Sequence, residues 1–254
     1  MSATQQPGHG VRQHLDAAMR VLAPRPGDPH GPLPPLLLGL TVATGLVDAF
    51  SYLLLGHVLV ANMTGNVVFL GFAIGDAPGF VWWALLLALA AFLAGAVLGG
   101  RIRARCAAHR GRHLYGAVRV EVTLIAAAWV TALVLRGPYH DWSLALLIVL
   151  LGLGLGVQNA TARALAVPDL TTTVLTLTLA GIASDSAAAG GSGSKLGRRV
   201  MPVLAMLAGG AIGAALVVHG HGAIALGLAA GLLAVITLVA RPVSRSSEPW
   251  AVTS

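Results

Sequence analysis

Asp48 is the residue in this sequence best placed to do chemistry. It lies about twelve residues into an otherwise apolar run long enough to cross a bilayer. A carboxylate at that depth costs several kcal/mol unless it is paired, hydrated or protonated, so it must face the interior of a helix bundle. Downstream, the stretch "VANMTGN" adds Asn62, Thr64, Gly65 and Asn66, with His57 as a titratable neighbour. A second polar group stands in the other half of the chain. Gln158, Asn159 and Arg163 belong to "GVQNATAR", and Thr172 and Thr173 to "TTTVLTLTL". Carboxyl, carboxamide and hydroxyl groups of this kind bind a small solute or ion, or pass a proton. No nucleophile–base–acid set accompanies them, and no histidines stand at metal-ligand spacing. The expectation is a non-enzyme with no catalytic residues, no metal and no cofactor. The lone Cys106 has no partner for a disulfide.

The elements that position these residues follow from composition. Hydrophobic residues make up 56% of the chain and charged residues 10%, and mean hydropathy is +0.81. Soluble domains carry about a quarter charged residues. Long, mostly apolar runs cover Leu36 to Gly56, Phe80 to Gly100, Val118 to Leu135, Trp142 to Ala162, Val200 to Val218 and Ala223 to Ala240. Each is the length of a membrane helix. Two shorter apolar pieces remain, Asn66 to Ile74 and Thr173 to Ile182. Each reaches about 15 Å as a helix, half of a ~30 Å hydrocarbon core. The formal charge of +7 comes mainly from arginines in loops and tails. That distribution suits topology and anionic lipid rather than nucleic acid.

Loop charge orders the spans. Arg101 to Arg119 holds six arginines and no acid, which by the positive-inside rule is cytoplasmic. Alternating outward from it keeps the N-terminal arginines, Arg163, Lys195, Arg198, Arg199 and Arg241 on the same side only when neither short piece crosses. The expectation is therefore six transmembrane helices with two re-entrant half-helices and both termini cytoplasmic. The rival has one or both short pieces crossing, for seven or eight spans. Residues 1–35 and 241–254 read as flexible cytoplasmic tails, and no secretory signal stands at the start.

An internal repeat divides the membrane part into 36–136 and 137–240. "AFLAGAVLGG" at Ala91 matches "AMLAGGAIGA" at Ala205 nearly position for position. Thr41, Gly45, Asp48 and Tyr52 on one helix face correspond to Gly152, Gly156, Asn159 and Arg163 on another. Each half runs span, half-piece, span, span. Three spans per half is odd, so the halves have inverted topology, the plan of many secondary transporters. The glycines are read as a small-residue packing face. Several pairings are expected: Asp48 with Arg163, Asn62 and Thr64 as caps of the first half-helix, Asp169 as a cap of the second, and Glu121 in an interfacial ion pair with Arg119.

"GLVDAFSYLLLGHVLVANMTGN" together with "GVQNATAR" resembles the YoaK-type bacterial membrane proteins, a family defined as a domain of unknown function. The resemblance spans Leu36 to Ala240. It implies a multi-pass protein of the bacterial inner (plasma) membrane and brings no established activity. Family members are similar in carrying a second MTG-like element after the QNA segment, whereas "TTTVLTLTL" lacks the Met and Gly. The sequence thus leads to a transporter of an unknown small solute or ion. The alternative is a structural or accessory protein that binds lipid or a protein partner. Membrane lipids are partners on either reading, nucleic acid on neither, and a homo-oligomer is compatible with both.

Overall fold

The computed structural model describes residues 16, 18–25, 27–106, 108–170, 175–186, 189–190 and 196–252 of the chain. Its helices are, in order, α1 (Leu33–Leu54), α2 (Met63–Ile74), α3 (Trp82–Arg105), α4 (Arg110–Leu135), α5 (Asp141–Leu165), α6 (Leu175–Ser184), α7 (Leu196–Val218) and α8 (Gly222–Val243). All but α2 and α6 are long and apolar enough to span a membrane. The protein is an all-α polytopic membrane protein, with six spans as composition predicts.

Boundaries differ from the hydropathy reading where arginine is involved. Helix α3 continues through Arg101 and Arg103 to Arg105, and α4 begins already at Arg110. Arginine is a good helix former, so the backbone stays helical past the point where the side chains turn polar. Pro34 and Pro35 fall in the first turn of α1, where a missing N–H costs nothing. His140 and Ser143 form a reciprocal capping box at the start of α5.

Helices α1 and α5 form the centre. Of their most apolar windows, 67% and 61% are buried, against 17–39% in the other four spans. The most extensive pairings are α3 with α5 and α1 with α7, followed by α4 with α8, α4 with α5 and α1 with α8. Close approach at the two leading contacts depends on glycine. A Cβ on Gly95 would overlap the Leu153 carbonyl oxygen, and one on Gly209 the Val42 carbonyl oxygen. A Cβ on Gly99 would stand 2.9 Å from Ala160 Cβ, and one on Gly213 would stand 2.8 Å from Ala49 Cβ. Gly156 against Phe92 is likewise matched by Gly45 against Met206. Lipid tails offer helices no hydrophobic drive to associate, so backbone-to-backbone packing of this kind carries the assembly.

At the arginine-rich end, segments read from the sequence as tails make contacts. Trp250 is 8% exposed and lies over Gly31. The Arg110 guanidinium donates to the Trp250 carbonyl at 3.2 Å and to the Leu165 carbonyl, and lies 3.3 Å from His30 Nδ1. Burial first, then the charges of Arg110 and Arg198, hold His30 below the ordinary imidazole range.

Candidate functional site

The site begins where α1 ends. At Gly56 and His57 the backbone takes positive φ, +74° and +60°, and the chain doubles back beside α1. The Asp48 carboxyl oxygen Oδ1 then accepts from the N–H groups of both Val60 and Ala61, each at 3.0 Å. Asp48 lies about 9 Å from the end of α1, so the returning strand has already passed well inside the bundle. Asn66, in the first turn of α2 and 0% exposed, completes the grip. Its Oδ1 accepts from Leu59 N–H at 2.9 Å and its Nδ2 donates to the Leu59 carbonyl. One carboxamide therefore stands in for a neighbouring strand, and buried backbone that has neither water nor helix finds its partners.

Helix α2 returns to the end from which the strand came. His57 Nδ1 lies 2.9 Å from the Gly79 carbonyl oxygen, and Tyr52, Phe69 and Phe80 pack around the junction. The entry and exit of the segment 57–79 are thus adjacent.

The second short helix has the same kind of closure in different chemistry. Arg199 reaches Asp169, before α6, at 3.2 Å and Asp185, after it, at 2.7 Å. It also donates to the Gly181 carbonyl, while Arg198 lies 3.9 Å from Asp169. Thr172 and Thr173 lie outside the described residues.

Between these two constructions is a cleft of about 680 Å³. Asn62, Thr64, Gly65 and Phe69 line it from the start of α2, Phe92 from α3, Asn159 from α5, Thr176 from α6 and Met206 from α7. Of the residues singled out in the sequence, Asn62, Thr64, Gly65 and Asn159 come together here. Asp48 and Asn66 form the wall behind, because their polar atoms hold the strand that carries Ala61 into the lining. Gln158 faces inward, and its Nε2 donates to Thr44 Oγ1 at 2.7 Å. His57 is not in the lining, because its ring closes the far end of the strand.

Several expected pairings are corrected. Arg163 is exposed, and Asp48 is in none of the ion pairs among the described residues. Thr44, one turn before Asp48, meets Gln158, whereas Arg163 lies more than a turn beyond Gln158, so the two charges are on different levels. Asn62 occupies the N-cap position of α2 without a side-chain cap bond. Asp169 pairs with Arg198 and Arg199. Glu121 is 1% exposed and has no ion pair among the described residues, while Arg119 stacks on Tyr115, 5.6 Å from the ring centroid. Sequence reasoning missed Thr44, Phe92 and Met206. The last two had a signal, since they occupy the same position in the matched segments at Ala91 and Ala205.

The lining offers hydroxyls, carboxamides, a helix start and apolar walls, with no charged side chain among the described residues that form it. No cluster of three or more potential metal ligands occurs among the described residues. A six-span bundle with two short helices whose starts border one cleft defines the class: a multi-pass α-helical membrane protein with buried polar residues. The chain belongs to the family described as "Protein of unknown function (DUF1275)", whose model matches residues 36–239. Over 63 residues it is 46% identical to the UPF0700 transmembrane protein YoaK of Bacillus subtilis (strain 168), a stretch covering 25% of this chain and 28% of that relative. No solved structure matches.

Proposed function

We propose that the protein is a secondary transporter of a small, uncharged or singly charged polar solute, not an enzyme, in the bacterial inner membrane with both termini cytoplasmic. Residues 36–136 and 137–240 act as two inverted-topology repeats, each with one re-entrant half-helix. One observation carries this reading: a single cleft is bordered by both short helices, by Asn159 and by the equivalent pair Phe92 and Met206. In transporters built from inverted repeats, broken helices meet the substrate at the repeat interface. Support for the repeat comes from the glycine contacts, where α3 on α5 and α7 on α1 use equivalent positions. Support for re-entrance comes from the closures His57–Gly79 and Asp169–Arg199–Asp185. Lipid is the surrounding partner.

A second reading has its own observation. Asp48 and Asn66 hold backbone rather than facing the cleft, as a structural or accessory membrane protein would require.

Two measurements separate these. In a Cys106-free background, impermeant labelling of single cysteines should place positions 57 and 76 on one side of the membrane and 169 and 185 on the other. Labels on opposite sides within either pair would end the re-entrant scheme. Counterflow of a panel of small polar solutes into reconstituted vesicles should then find uptake that Asn159→Leu and Thr176→Val abolish. If no solute moves, and a cysteine at position 64 resists labelling from both sides, the structural reading holds instead.

A further inference from the structure

The bundle contains a second buried acid, remote in sequence from Asp48, whose surroundings call for a proton. Glu121 of α4 is 1% exposed, and its Oε2 has no hydrogen-bond partner among the described residues. Gln158 of α5 is also 1% exposed; its Nε2 donates to Thr44, and its Oε1 has no partner among the described residues. Two buried acceptors without donors are unfavourable.

Register brings the two together. Helices α4 and α5 are joined by a short turn and run antiparallel. A Cβ on Gly154 would stand 3.3 Å from Ile125 Cδ1 and 3.7 Å from Leu124 Cβ, so Ile125 packs opposite Gly154. One helical turn along, in opposite directions, this register puts Glu121 and Gln158 at one level of the α4–α5 contact. Further toward the arginine-rich end, His113 Nε2 lies 3.4 Å from Thr161 Oγ1, joining the same two helices.

No counter-charge faces Glu121 among the described residues. On α4, Arg119 turns away to Tyr115, Arg110 is held by the carbonyls of Trp250 and Leu165, and Arg112 is exposed in the first turn. Helix α5 carries Asp141 and Arg163 only at its two ends, α8 carries only Arg241 at its end, and α3 carries Arg101, Arg103 and Arg105 in its last turns. The 3-10 turn at Pro249–Ala251, also packed against α4, brings Glu248 just before it. His113, 4% exposed and two turns from Glu121 on the same face, is a further titratable group buried along this contact, as is Tyr139 near the turn, whose hydroxyl donates to the Ala132 carbonyl. A small cavity of about 20 Å³, room for roughly one water, adjoins His113 together with Arg103, Cys106 and His109.

We infer that Glu121 is a proton-binding site inside the membrane: it is held as a carboxylic acid whose O–H donates to Gln158 Oε1, and it exchanges its proton with the arginine-rich end past His113 and Thr161. One proton satisfies both stranded acceptors, where a carboxylate would face an unpaired carbonyl oxygen. As a proton site this is independent of the transport proposal. Only its use as a coupling site rests on that proposal, and the test below needs no solute.

Infrared spectroscopy of the full chain in lipid nanodiscs reads the carbonyl stretch of a protonated carboxyl directly. At pH 7 the wild type should show this band, Asp48→Asn should keep it, and Glu121→Gln should lose it. Gln158→Leu should move the band to higher frequency at unchanged area, since the acceptor is gone. His113→Asn should leave the area unchanged but slow deuterium exchange at the band several-fold. A band that survives Glu121→Gln, or no band in the wild type, overturns the site. An unmoved band in Gln158→Leu overturns the pairing. If Glu121→Gln fails to fold, Glu121→Asp, which should shift the band and not erase it, and Gln158→Leu decide the matter.

Discussion

The two short helices enclose one cleft but are fastened differently. The first is fixed mainly from within: Asp48 and Asn66 hold the buried backbone of the incoming segment, while the exposed His57, among aromatic rings, closes the far end. The second is fixed from the rim, by Arg199 between Asp169 and Asp185, with side-chain exposures of 13%, 20% and 54%. Buried hydrogen bonds to backbone are short-ranged and indifferent to salt. Ion pairs at a wet edge weaken as salt rises and contribute little individually. The two short helices are therefore held with unequal firmness. Within the transport proposal, the second half-helix is the one that yields.

That contrast can be broken most forcefully at Asp48. Asp48→Leu strands two buried amides and should destabilise the protein by about 2–6 kcal/mol, while Asp48→Asn, which keeps an acceptor, should lose far less. Thermal unfolding in nanodiscs reads the difference, and equal losses would mean the strand does not depend on that oxygen. Next come the glycine contacts, where the halves should behave alike. Gly95→Ala and Gly209→Ala each insert a methyl onto a facing carbonyl, at a cost of about 1–3 kcal/mol. The two costs should agree within about 0.5 kcal/mol, the usual margin for independent sites. A one-sided effect would remove the structural basis for equating them.

Smaller effects sharpen the contrast between the fastenings. His57→Ala should cost about 1 kcal/mol and the loss should be the same in low and high salt. Arg199→Gln should raise the labelling rate of a cysteine at position 178 on α6, and added salt should reproduce that rise in the wild type. A salt-insensitive rate there would place the strength of the second fastening elsewhere. Gly71→Ala, where a Cβ meets nothing within 4 Å, should change stability by less than about 0.5 kcal/mol, as expected of surface substitutions.

The spans were legible because membrane helices announce themselves by missing charge, and the glycine faces because they recur at matching positions in both halves. Partners were harder to read. Asp48 was expected to find a charged side chain, but its donors are main-chain amides, and main-chain amides are present at every residue but proline, so they leave no mark in a sequence. Asn66 was legible as polar and close to the site, though not as a stand-in for a strand. Glu121 was misread because Arg119 is its near neighbour in the chain. Residues two apart on a helix point in different directions, so proximity in sequence there argues against a pair. Thr44 gave no signal, since a threonine in an apolar helix bonds its own preceding turn, as Thr44 also does to the Leu40 carbonyl at 2.9 Å.

The hold of Asp48 and Asn66 on Leu59, Val60 and Ala61 has an evolutionary corollary. Apart from Asn66 Nδ2 lying 3.7 Å from Met63 Sδ, the hydrogen-bond partners of both side chains among the described residues are N–H and C=O groups, which mutation cannot alter short of introducing proline. The three gripped positions are thus free to drift among apolar residues of suitable bulk, while the aspartate and asparagine carry the heritable instruction for the bend. Relatives that keep those two residues can be expected to keep the course of the chain, even where the intervening letters have changed entirely.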